Sequence, residues 1–98
     1  MSAPGNERRI ELLNVDWAYD GYDGDYHPTY FLRNKTIAIK IGGIATVKVY
    51  GRVNGVRTQL LPDVTKDTLV QNEMLIDEMK AHISDYTSGP VSVYILGE

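Results

Sequence analysis

The chain has no cysteine. Disulfide frameworks, thiolate zinc sites and cysteine nucleophiles are therefore excluded. Phenylalanine and tryptophan occur once each, and proline four times in 98 residues. No apolar run approaches the ~20 residues of a membrane span, so no membrane partner is expected. The opening MSAPGNERRI lacks the apolar stretch of a secretory leader, which makes the cytoplasm the expected place of synthesis. Acid is also missing from one long stretch. Residues 31–62 hold Arg33, Lys35, Lys40, Lys48, Arg52 and Arg57 but no Asp or Glu.

The acids lie on either side of that stretch. Residues 1–30 carry Glu7, Glu11, Asp16, Asp20, Asp23 and Asp25 against Arg8 and Arg9; residues 63–98 carry seven acids against Lys66 and Lys80. The sum is a net charge of −3, which turns the reading away from nucleic acid. Segregated charge of this kind is met by basic strands lying beside acidic ones, or between subunits.

Ninety-eight residues suit one domain with a modest core. Within it, residues 1–34 read as an N-terminal arm with an aromatic and acidic loop, and 35–98 as a β-sandwich core. MSAPGNE is a polar lead-in. After it, Leu13, Val15 and Trp17 alternate as in a strand. In KTIAIKI the residues Ile37, Ile39 and Ile41 share one face, and in IATVKVY the residues Ala45, Val47 and Val49 do the same. A hairpin around Gly42-Gly43 is expected between these runs. Asn54-Gly55 signals a second hairpin, which gives a three-stranded meander.

Residues 67–77 fit either a helix, with Asp67 as its cap, or a strand. From about Glu78 the pattern turns to strands. TSGP would then join a strand over Lys80–Asp85 to a final VSVYILG strand paired with it. Ile37, Ile39, Ile41, Val47, Val49, Leu60, Ile76, Ile83, Val91, Val93 and Ile95 form the expected inward set. The fold class is all-β: a small antiparallel β-sandwich or jelly-roll-like barrel with an extended N-terminal arm.

The chemistry concentrates in WAYDGYDGDYHP. Asp20, Asp23 and Asp25 offer oxygen ligands of the kind calcium takes, but the spacing lacks the EF-hand pattern, and turn formation is the plainer role for aspartate among glycines. No metal and no cofactor are expected. Trp17, Tyr19, Tyr22, Tyr26 and Tyr30 gather five of the nine aromatic residues into fourteen positions. Rings with polar tips suit a protein interface or a sugar platform. The plainer expectation is that Trp17 and Tyr30 pack in the core while the others lean on the surface.

His27 and His82 are the only histidines. No nucleophile-elbow pattern surrounds Ser84, Ser88 or Ser92, and KIGGIA lacks the phosphate-loop signature. No enzyme is expected.

The runs TIAIKIGGIATVKVYG and MKAHISDYTSGPVSVYILG, within residues 35–97, together resemble small β-sandwich structural proteins of tailed bacteriophages. The resemblance implies a virion component without catalysis: a head decoration or cement protein, or a tail- or fibre-associated piece. It further implies a homo-oligomer that binds the major capsid protein, or another virion protein, at subunit junctions. The Tyr-rich N-terminal segment would then grip the neighbour. The reading from another class is a carbohydrate-binding sandwich that stacks Trp17 and the tyrosines on sugar rings.

Overall fold

The computed structural model describes residues 8–98. The MSAPGNE lead-in lies outside these. The strands are β1 (Arg8–Val15), β2 (His27–Pro28), β3 (Lys35–Ile41), β4 (Ile44–Val53), β5 (Val56–Gln59), β6 (Thr68–Asn72), β7 (Glu78–Ser88) and β8 (Val91–Gly97). They form two four-stranded sheets, β1-β8-β3-β6 and β2-β7-β4-β5, and every pairing is antiparallel. The chain is a small β-sandwich.

Alternation builds the core, because a strand buried on one face turns every second side chain inward. Ile37, Ile39 and Ile41 meet Val91, Val93 and Ile95 in the first sheet, and Val47, Val49, Met79, Ala81 and Ile83 face them from the second. All the expected inward residues are buried except Leu60, which is half-buried and packs against the core.

The Gly42-Gly43 connection is not a hairpin. It carries the chain from β3 in one sheet to β4 in the other, so the expected three-stranded meander reduces to the β4–β5 hairpin. Asn54 (φ 49°) and Gly55 (φ 80°) make that hairpin's turn, whereas Gly42 and Gly43 have no positive φ. The pair is needed for closeness instead. A Cβ on Gly43 would stand 2.2 Å from the Ser88 carbonyl oxygen, and one on Gly89 would stand 2.4 Å from the Gly43 nitrogen.

The TSGP turn is likewise an arch between sheets: β7 pairs with β4 and not with β8. Just before it, β7 bulges against β4 between Ser84 and Ser88, with Asp85 in the left-handed region at φ 50°. Residues 67–77 contain strand β6 and a connecting loop. Asp67 caps no helix; its Oδ1 accepts the Ile41 N–H at 2.8 Å.

From Arg8 onward the N-terminal third is woven into both sheets. β1 pairs with β8 and bulges at Leu12, so Leu12 and Leu13 are both buried although adjacent. After β1 the chain crosses over and runs along the free edge of β7. Gly21 N–H donates to Ile83 O, Ile83 N–H to Tyr22 O and Gly24 N–H to Ala81 O, before His27 and Pro28 complete β2. The expected strand thus ends at Val15, before Trp17.

Candidate functional site

One end of the sandwich carries three connections tied to one another. Thr29 is fully buried; its hydroxyl donates to Ile76 O at 2.7 Å and its N–H to Asp77 O at 2.9 Å. Asp77 in turn donates its N–H to Arg52 O, and its Oδ2 accepts the Asn54 N–H at 2.8 Å. Lys35, 1% exposed, donates from Nζ to Leu32 O and to Met74 O. Burial pushes the Lys35 ammonium below its ordinary value of 10.5, since low dielectric disfavours the charged form. The segments 29–34, 53–56 and 73–77 are held together by these bonds.

Two of those segments share a design. In Tyr30-Phe31-Leu32 and in Met74-Leu75-Ile76 the third residue is buried and the first two are exposed. Tyr30 is 69% exposed and Leu75 65%. The Tyr30 and Phe31 rings meet edge to face at 5.4 Å. Val53 and Val56, also exposed, flank the β4–β5 turn at the same end. Large apolar side chains are thus anchored by buried neighbours and held outward on a braced loop system.

The five predicted aromatic residues do not form one surface. Trp17, 71% exposed, and Tyr19 lie in the turn that leaves β1 beside the start of β8. Tyr30 lies at the other end, a strand's length or roughly 25 Å away. The expectation that Trp17 and Tyr30 pack in the core is therefore corrected: both sit in connections between strands, where no sheet covers them. Tyr22 is the one that packs against the core, with Tyr19 edge-on to it at 5.2 Å. Tyr26 lies under two cations, the Arg52 guanidinium at 4.1 Å and the Lys80 ammonium at 5.1 Å from its ring centre.

That contact belongs to a charged network over the outer face of the second sheet. Arg52 pairs with Glu78 through Nε at 2.7 Å, and Lys48 pairs with Asp63 at 2.7 Å. Arg57 covers the Tyr50 ring at 4.2 Å. Asp23 accepts from Lys80 at 2.9 Å and meets His82 Nδ1 at 3.1 Å. Burial raises the Asp23 carboxyl, but the hydrogen bonds and the electrostatic attraction of Lys80 and His82 together outweigh it and hold the carboxyl below its ordinary value of 3.8. The basic strand β4 therefore lies between acidic partners from other segments.

This network uses Asp23 as an ion-pair partner and leaves Asp20 and Asp25 exposed. Among the described residues, no three acidic or imidazole side chains are placed to hold a metal. Nor does a hydrogen bond join either histidine to a serine there. A groove of about 610 Å³ crosses the outer face of the first sheet, lined by Arg9, Lys40, Leu69, Ser92 and Tyr94 among others. The Arg9 guanidinium covers the Tyr94 ring at 4.4 Å, so that ring offers no open stacking face on that side.

Sequence reasoning missed Phe31, Met74, Leu75 and the role of Lys35. The signal was present in the triplets YFL and MLI, where apolar residues run consecutively beside turns instead of alternating. No known protein family, curated protein or solved structure matches the chain.

Proposed function

We propose that the chain is a non-enzymatic structural protein of a tailed-phage virion, decorating the shell by binding its major capsid protein. The observation that carries the attachment is the braced end presenting Tyr30, Phe31, Met74 and Leu75. Exposed apolar side chains grouped on a rigid frame mark an interaction surface, because little ordering remains to be done on binding. Covering a fully exposed side chain of this size is worth roughly 1.5–3 kcal/mol of transfer free energy, so these four supply only part of what association costs and repeated copies on a shell would add the rest. The assignment to a virion rests on the resemblance of residues 35–97.

The test is co-sedimentation with shells, comparing the native chain with Tyr30→Ser/Leu75→Ser and with Trp17→Ser/Tyr19→Ser. All four side chains are exposed, so the variants should fold. Saturable binding lost only in the first variant supports the proposal. Loss only in the second would move the grip to the opposite end. No binding by any of the three would overturn the decoration role. Retention on a glycan array, abolished by Trp17→Ser/Tyr19→Ser, would favour the sugar-binding reading that those exposed rings keep in play.

A further inference from the structure

A two-sheet sandwich has four edge strands, and each turns backbone N–H and C=O groups outward, where another strand can pair with them. Three of these edges are guarded. β1 carries Arg8, Arg9 and Glu11 and is bulged at Leu12. β2 contains Pro28, which has no N–H to donate, and follows a stretch holding Asp23 and Asp25. β5 is four residues long and carries Arg57.

β6 has none of these devices. Thr68-Leu69-Val70-Gln71-Asn72 contains no charge, proline or glycine, and its ladder with β3 is unbroken over five pairs. Outside that ladder, no backbone–backbone hydrogen bond reaches these five residues among those described. Leu69 and Gln71 face outward, opposite Ala38 and Thr36, and Leu69 is 76% exposed. An apolar side chain so exposed, on an edge with an open ladder, marks a place where a strand adds.

We infer that β6 pairs antiparallel with β6 of a second copy, joining two four-stranded sheets into one of eight. A two-fold axis perpendicular to the sheet keeps each copy's outer face on the same side, so opposed residues must share a face. Centring the axis at Leu69 sets the two Leu69 side chains directly against each other. Val70 then opposes Thr68, Gln71 opposes Asp67, and Asn72 opposes Lys66, so no like charges meet. Centring it at Val70 would instead oppose Asp67 to Glu73, two like charges, which is unfavourable. Of these two registers the Leu69-centred one is favoured, and it is the one that sets apolar against apolar at the most exposed position. A seam of this length buries little area, and the dimer is expected to be micromolar or weaker.

The inference is independent of the virion reading, since it uses an edge and not the braced end. Sedimentation equilibrium over a wide concentration range tests it. The native chain should rise from 11.0 kDa toward twice that mass. Leu69→Lys and Leu69→Glu should each hold the mass at the monomer value, because each sets two like charges opposite one another. An equal mixture of the two should restore the dimer by opposing unlike charges. The outward position of Leu69 should leave the melting temperature of the dilute monomer nearly unchanged in both variants. A native chain that stays monomeric at about millimolar concentration, where even weak interfaces show, would overturn the inference. So would a dimer that tolerates both single variants.

Discussion

Asp23 and Lys35 are two ions set into a small protein in opposite ways. Lys35 is almost fully enclosed and donates hydrogen bonds to two carbonyls, so it works as a tie between loops, and burial disfavours its charge. Asp23 is half-exposed and bridges Lys80 and His82 of β7. An exposed pair of this kind is worth little, and Asp23→Asn should cost about 0.5–1 kcal/mol near neutral pH. The sign of its pH dependence follows from the lowered carboxyl. Its stabilisation is present above 3.8, the ordinary value, and is lost as pH falls through the lower folded value. Urea unfolding of both chains should therefore show a gap in neutral buffer. The gap should close as the titration passes below 3.8. A gap that persists into strong acid would mean that the carboxylate charge is not its source.

At the scale of elements, glycine appears in two kinds of connection with two different demands. In the Asn54-Gly55 turn the demand is a positive φ and the surroundings are open: a Cβ at Gly55 meets nothing within 4 Å. Gly55→Ala should cost about 1 kcal/mol, the strain of a left-handed alanine. At Gly43 the demand is space, because the β3–β4 arch crosses the β7–β8 arch backbone to backbone. Gly43→Ala forces the two arches apart and should cost more, roughly 1–3 kcal/mol, the scale of overpacking. Denaturant midpoints of the two variants would rank them, and equal costs would contradict the close crossing. The same pair marks the limit of what sequence showed. Alternation in residues 35–53 placed the strands and named their inward side chains correctly. Alternation is identical whether the next strand joins the same sheet or the facing one, so it cannot tell a hairpin at the Gly pair from an arch. Asn54-Gly55 was readable because a type I′ turn imposes a φ that few residues accept. For the candidate site, aromatic composition pointed to Tyr30 but scattered the rest of its set over two ends. The triplets holding Phe31, Met74 and Leu75 are readable in the sequence, but their grouping at one end is not, because it depends on long-range bonds through Thr29, Lys35 and Asp77.

For the molecule as a whole, the decisive fact is that the N-terminal third supplies an edge to each sheet. β1 closes the first sheet beside β8, and residues 21–28 close the second beside β7. Leu12, Leu13 and Ala18 enter the common core from this segment. Burying the two leucines alone contributes roughly 3–6 kcal/mol of transfer free energy at ~1.5–3 per side chain. Domains of this size have about 5–15 kcal/mol of net stability, so their removal takes a large share before any ladder bond is counted. Deleting residues 1–28 would also uncover the edges of β7 and β8. The shortened chain should therefore lose cooperative unfolding, with a broad thermal transition by circular dichroism and a tendency to aggregate. A sharp transition near the native melting temperature would show instead that residues 29–98 fold alone and that the N-terminal third is a separable arm. The structure predicts the first outcome, and for that reason the grip of the braced end is tested with exposed side chains and not by truncation.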